Sequence, residues 1–366
     1  MRVNFTDFKS EFRNFETKLV SSLKLVGRKG EYILGSELNK FEKKVKTFLR
    51  AKYVLGVGNW TEGMIMVCKA LELKKNDEII TVSNSFIATC GAIAYAGIKP
   101  VLVDVDSSMN IDADLIEKKI NKKTKAIMPV HLSGIPSNIS KIKKMCIKHK
   151  LTFIEDAAHA FGGKYKNKFL GTLGDIGIFS LHPRKNFHVL GDAGVIVTKN
   201  KKIYEKLKLL RNHGLKNRNY SNIWGTNSRL DNLQASFANI FLKNINKVNN
   251  HFFEIAEFYN KNLYKYVQIP IFDKKLCKPT FHQYIIRTNK RNSLKKFLEK
   301  NGIQTAIHYP VPIHKQKAYT NTYGKIVLRN TEKYSKQILS LPIHDYLTKK
   351  QIMYVCRIIQ NFFERN

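Results

Sequence analysis

The residues of this chain whose types and spacing could do chemistry lie between Phe153 and Thr198. FIEDAAHAF is an apolar run that ends on Glu155 and Asp156, followed by small residues and His159. GTLGDIGIFSLHPRKNF is a second apolar run ending on Ser180, with His182, Arg184 and Lys185 just beyond. GDAGVIVT is a β-branched run able to pair beside the second. A carboxylate, a hydroxyl and a lysine thus fall where consecutive strands end, and in open α/β sheets ligands bind outside those ends. Such a set suits pyridoxal phosphate. That group needs a lysine for covalent attachment, an acid beside its pyridinium nitrogen and donors for its phosphate. Lys185, Asp156 and Ser180 supply one of each. The competing reading makes Asp156 the N-cap of a helix beginning AAHAF and Lys185 one surface lysine among many. Spacing alone does not choose between them.

The elements that must position these residues follow from periodicity. From Tyr53 onward, apolar or β-branched runs occur at YVLGVG, EIITVS, KPVLVDVD, KAIMPVHL, LTFIEDA, IGIFSLH and AGVIVT. Helical patterns follow most of the earlier ones, as in EGMIMVCKALEL and NISKIKKMCIKH. This alternation predicts an α/β fold with a seven-stranded, mostly parallel sheet covered by helices on both faces. A helix beginning at AAHAF would turn His159 toward the same crevice as Asp156. Before the first strand, YILGSELNKFEKKV reads as a short extended piece and then a helix burying Leu38, Phe41 and Val45. From about Asn250, FHQYIIRT reads as a strand and SLKKFLEKNGI as a helix of a smaller C-terminal α/β unit. The tail is a loop and a helix with Ile352, Val355, Ile359 and Phe362 on its apolar face. The expected division is a large unit over 1–248, with an N-terminal arm, and a small one over 249–366.

The stretch GVGNWTEG places Gly56 and Gly58 between the first strand and the next helix. It is a partial dinucleotide fingerprint with Thr61 at the third glycine position. A glycine-containing turn at a helix N-terminus is an anion site whatever the ligand.

The chain has 366 residues, 43% of them hydrophobic, enough for a large core and a second smaller one. Its five cysteines show neither metal-like nor paired spacing and read as reduced thiols of a cytoplasmic protein. Lys and Arg number 64 against 28 Asp and Glu, a formal net charge of +36. So basic a chain favours anionic partners. The lysines are spread along the whole length, however, and no nucleic-acid motif accompanies them. Charges throughout the N-terminus exclude a signal peptide, and no run has the length of a membrane span.

IEDAAHA, GDIGIFSLHPRKN and GDAG together resemble the DegT/DnrJ/StrS family of sugar-nucleotide aminotransferases. These are pyridoxal 5'-phosphate enzymes of the type I, aspartate aminotransferase-like fold. GTNSR matches the family's G-x-N-x-R element, and HYPVPIH its HYP-x-P-x-H segment. The resemblance implies that Lys185 carries the cofactor and moves a proton during turnover. It implies that Asp156 faces the ring nitrogen, that His159 lies by the ring or its hydroxyl, and that Phe86 stacks on it. Thr61 and Ser180, with Trp60 beside them, fall at the phosphate. Asn227 would reach the phosphate of a neighbouring subunit, so the active site would form only in a homodimer. Arg229, His308, Tyr309 and His314 would border the sugar nucleotide. Trp60 replaces the family's glycine, and Ala193 stands in its GDGG-like run. The implied reaction moves an amino group from L-glutamate to the keto group of a dTDP-, UDP- or GDP-linked deoxy sugar. The cofactor would pass through its pyridoxamine form, and the amino sugar would serve surface polysaccharide or another glycoconjugate. Relatives that dehydrate deoxysugars carry histidine where Lys185 stands. Two further alternatives are a basic nucleic-acid binder and, from Gly56 and Gly58, an NAD enzyme.

Overall fold

In the computed structural model, which describes residues 1–365, the seven expected strands form one sheet. They are β1 (Tyr53–Val57), β2 (Glu78–Val82), β3 (Lys99–Val103), β4 (Thr124–Ile127), β5 (Thr152–Asp156), β6 (Ile176–Ser180) and β7 (Gly194–Thr198). Their spatial order is β1-β7-β6-β5-β4-β2-β3. The neighbours from β3 through β6 pair parallel, and β7 runs antiparallel to both β6 and β1. The reversal has a local cause. A parallel return needs a long crossover, usually a helix, but the segment between β6 and β7 is the loop that carries Lys185 and forms no helix.

Alternation along β5 and β6 divides the core. Phe153 and Phe179 belong to the apolar layer on one face, and Ile154 and Ile178 to the layer on the other. Glu155 and Asp156 are split in the same way. Helices cover both faces and start on side-chain caps that the sequence supplies. Asn59 accepts from the Glu62 amide at the helix Trp60–Ala70, and Asn138 from the Lys141 amide at Ile139–His149.

A third core gathers Phe252, Tyr259, Tyr284, Leu341 and Val355. Two further strands, β8 (Tyr284–Arg287) and β9 (Ile338–Leu341), pair antiparallel within it, so part of the expected loop before the final helix is a strand. Val3 is buried in that same core and bridges to Ile303. The N-terminal arm therefore packs with the C-terminal unit at its very start. The expected division after residue 248 falls inside the helix Ile245–Leu263, which runs continuously past it.

One expectation fails here. Residues 157–163 are not a helix. The Ala157 amide still donates to Ile178 O at 2.9 Å, and two tight turns follow, Ala160 N to Ala157 O and Gly163 N to Ala160 O. The tie to β6 and Gly162 in the left-handed region (φ +85°) outweigh alanine's helix preference. The N-terminal piece is as expected, a short extended stretch and then the helix Ser36–Leu49 burying Leu38, Phe41 and Val45, with one addition. A 22-residue helix, Phe8–Lys29, precedes the extended stretch and buries Phe15, Leu19 and Val26.

Candidate active site

Asp156 ends β5 and is 2% exposed. Thr89 Oγ1 donates to one carboxylate oxygen at 3.0 Å and the Ala158 amide to the other at 3.2 Å. Burial nevertheless raises its pKa from 3.8 to about 6, against the lowering pull of those bonds and of Lys185. Its neighbour Glu155 has another fate. Its carboxylate accepts from the amides of Gly171, Leu173 and Gly174 and pairs with His131 Nε2 at 3.0 Å. Burial alone would raise it, but these partners hold it below the usual carboxylate range. Glu155 and His131 are structural, and Asp156 is the acid left facing the crevice.

Lys185 lies on the loop from β6 to β7. Burial lowers its amine from 10.5 to about 8, and Asp156 pulls in the opposite direction. A lysine so lowered is neutral above about pH 8. Acylation of the cofactor-free chain, read by peptide mapping, is therefore expected to label Lys185 with a midpoint near pH 8. Labelling of solvated lysines should still be rising at about pH 10. A midpoint for Lys185 matching the solvated lysines would contradict the burial.

His159 reaches the crevice from the turn rather than from a helix. The Ser133 amide donates to its Nδ1 at 3.2 Å, which leaves the hydrogen on Nε2. Burial, with Lys185, His282 and His308 nearby, keeps its pKa well below 6.5. His308 lines the same cleft as Lys185, contacts Ser340 Oγ through Nδ1 at 2.8 Å and is lowered to about 4 by burial and by Arg184 and Lys185. Tyr309 lies with its ring 5.9 Å from that of Phe86, and burial, Asp156 and a bond with Gln283 act on its phenol, which is raised overall. Phe86 is 56% exposed just past β2, an open aromatic face at the strand ends.

Three strands converge at Gly194. Val57 and Ser180 both pair with Gly194, and the helix Trp60–Ala70 starts directly above. Its first two amides, Trp60 and Thr61, have no acceptor among the described residues. Unpaired amides at a helix N-terminus favour an anion. The Trp60 ring does not enter this cradle. It is buried in the core with its indole N–H donating to Ile178 O at 3.3 Å, so its contribution there is its backbone amide. A Cβ on Gly194 would sit 2.8 Å from Asn59 C and 3.0 Å from Trp60 N. Gly194→Ala must lift the helix start, an overpacking cost of about 1–3 kcal/mol. Affinity for a phosphate-bearing cofactor is then expected to fall by about tenfold or more, measured by absorbance titration.

The residues fit pyridoxal phosphate: a lowered lysine, a buried acid, free amides and a cradle that a single methyl would fill. Other expected residues lie elsewhere. His314 is fully buried, with Nδ1 on Ser83 Oγ at 2.7 Å and Nε2 on Glu332 at 3.1 Å, so no ring nitrogen remains for a substrate and the expected contact is corrected to a structural role. Arg229 bridges to Val57 and donates to Asn212 Oδ1 at 3.0 Å. Asn227 is exposed. Neither lines the cleft that holds Lys185. Sequence reasoning missed Thr89, which stands three residues beyond Phe86, as well as Ser133, Asn186 and His282. The first was findable from helical spacing, whereas the others show no signal until distant segments meet.

The model of the DegT/DnrJ/EryC1/StrS aminotransferase family matches residues 14–360. A protein of Geobacillus stearothermophilus named as a pleiotropic regulatory protein is 35% identical, over 99% of both chains. The dTDP-3-amino-3,6-dideoxy-alpha-D-galactopyranose transaminase of Aneurinibacillus thermoaerophilus is also 35% identical, over 98% of this chain and 99% of the relative. The crystal structure of S. venezuelae DesV, solved with a ketimine intermediate, superposes with a TM-score of 0.96 at 31% identity, covering 100% of this chain and 99% of that one.

Proposed function

The chain belongs to the DegT/DnrJ/EryC1/StrS aminotransferase family, and we propose that it moves an amino group from L-glutamate to the keto group of a nucleoside-diphosphate-linked deoxy sugar. It is a pyridoxal-phosphate-dependent nucleotide-sugar aminotransferase of the type I fold. The observation that carries the reading is the meeting of Asp156 and Lys185 at the ends of the sheet, one raised to about 6 and the other lowered to about 8 by burial. When bound, pyridoxal phosphate supplies an electron sink and carries the amino group between the two substrates.

The chain's own residues divide the remaining work. Lys185 Nζ attaches the group and, when free, takes and returns the proton at the reacting carbon, a task its lowered pKa suits near neutral pH. Asp156, fixed by Thr89 and Ala158, presents a carboxylate to the ring nitrogen. His159 offers an N–H donor from Nε2. The amides of Trp60 and Thr61, with the hydroxyls of Thr61 and Ser180, bind the phosphate. Phe86 covers the ring. His308 and Tyr309 border the sugar nucleotide.

Finer readings rest on narrower support. A homodimer accounts for exposed Asn227, for Trp224 at 94% exposure and for the exposed apolar Phe12 and Leu23 on the first long helix. In that assembly Asn227 would complete the partner's phosphate site, with Arg229 following it. The separate core, built mostly from residues after Phe252 with Val3 and Ile135 added, favours a division near residue 248. No described helix is long and apolar enough to cross a membrane. The reading assigns the chain small-molecule partners in the cytoplasm, with the amino sugar passing to surface polysaccharide.

The test is direct. The loaded protein is mixed with L-glutamate and 2-oxoglutarate is measured. A panel of keto sugar nucleotides is then screened by mass spectrometry for the aminated product. Failure to release 2-oxoglutarate overturns the reading, and a dehydrated sugar in its place would support deoxysugar dehydration. The lysine at 185, where those dehydratases carry histidine, favours transfer.

A further inference from the structure

The segment Thr280–Gln283, just before β8, ties the two halves of the site together. Thr280 Oγ1 donates to His159 O at 2.6 Å, and Thr280 O accepts from Asn186 Nδ2 at 3.0 Å. Asn186 Nδ2 also donates to Asn249 Oδ1 at 3.1 Å, and Asn249 in turn donates to Phe161 O. Both hydrogens of the Asn186 amide face acceptors, so its oxygen is the atom turned to His282 Nδ1, 3.1 Å away. An amide oxygen only accepts. His282 Nδ1 therefore carries the hydrogen, and in the neutral ring Nε2 holds a lone pair. Burial and the charge of Lys185 keep the ring neutral. His282 is half-buried and lines the cleft with Lys185 and His308, and its hydrogen bond among the described residues is made through Nδ1.

The neighbouring ring is complementary. His159 lies with its centroid 4.4 Å from that of His282, and its Nδ1 is occupied by the Ser133 amide. The pair thus offers the crevice one N–H donor and one acceptor. An acceptor without charge suits a group that must be recognised rather than deprotonated.

We propose that His282 is a substrate-contact residue, its Nε2 accepting a hydrogen bond from an N–H or O–H group of the substrate beside Lys185. The proposal rests on the aminotransferase reading. The donor group is either an N–H of the amino donor's amino group or a hydroxyl of the sugar, and the two half-reactions separate these sources.

Two substitutions dissect the ring. An asparagine amide reaches only the Nδ1 position, so His282→Asn keeps the bond to Asn186 and deletes the acceptor. A glutamine reaches the Nε2 position, so His282→Gln restores an acceptor oxygen there. His282→Asn is expected to raise KM about tenfold in one half-reaction, with kcat, melting temperature and bound-cofactor absorbance near wild type. The half-reaction affected, glutamate or keto sugar, names the source. His282→Gln is expected to recover most of the KM. Unchanged KM values in the Asn variant, or equal damage in both variants, overturn the proposal. Should the Asn chain not fold, His282→Leu replaces it: raised KM in Leu but not in Gln supports the contact, and equal KM values overturn it. A wild-type protein that releases no 2-oxoglutarate refutes the function and the contact together. Wild-type turnover with unaltered KM in the variants refutes the contact alone.

Discussion

Lys185→Ala is expected to lower kcat by about 10³-fold or more while leaving the chain folded. The side chain has two tasks, attachment and proton movement, and a positioned acid–base group alone contributes roughly 10²–10⁴-fold. The phosphate cradle above Gly194 does not involve the lysine, so the variant should still bind the cofactor without the covalent link. Borohydride treatment followed by peptide mapping then distinguishes the two tasks. Wild type retains the label on the peptide holding residue 185, and the variant retains none anywhere. Lys185→Arg separates charge from proton transfer, because arginine keeps its charge but does not lose its proton. It should be as inactive as Ala. Appreciable turnover by either variant, or a label fixed on another lysine, would remove Lys185 from the reaction.

That Lys185 and Asp156 were readable in the sequence has a physical basis. Asp156 ends one apolar run and Lys185 lies in the loop just beyond the next, and an open α/β sheet gathers the carboxyl ends of its strands on one side. Position along a strand therefore translates into position in the site. The same logic fails where function depends on which way a side chain turns. HYPVPIH contains two histidines six residues apart, yet His308 lines the cleft while His314 is fully buried between Ser83 and Glu332. The prolines fix the course of that backbone but not its rotation about the chain. Trp60 was legible as a departure from the glycine expected before Thr61, whereas the burial of its ring against Ile178 O depends on β6, far away in the sequence. His282 stands in FHQYIIRT, whose alternation marks a strand and conceals that Asn186 and His159 meet it there. The turn at AAHAF misleads in the opposite sense. Its alanines favour a helix, but one hydrogen bond to β6 and a left-handed glycine decide the local path.

Asp156→Asn is expected to cut kcat by about 10²–10⁴-fold while sparing, or raising, the stability of the cofactor-free protein. The two effects come from one cause. Asparagine is nearly isosteric and the site can accommodate it. The Ala158 amide keeps an oxygen to donate to, and the Thr89 hydroxyl, which also contacts Ser85 Oγ at 2.8 Å, can turn to accept from the new amide group. What is lost is the negative charge that would hold a proton on the ring nitrogen. The stability consequence follows from the pKa raised from 3.8 to about 6 by burial. A carboxylate raised on folding contributes stability that is fully present below its unfolded value and is lost as pH rises through the folded value. Wild type therefore surrenders stability between about pH 4 and pH 6, on the order of 3 kcal/mol, and asparagine, which does not ionise, surrenders none at this site. Melting curves of the two cofactor-free proteins should diverge in favour of the variant across that window and run parallel above it. A variant that loses stability relative to wild type over the same window would mean that Asp156 is stabilised as an anion in the empty site, and the acid would then be a structural partner of Lys185 before it is a partner of the cofactor.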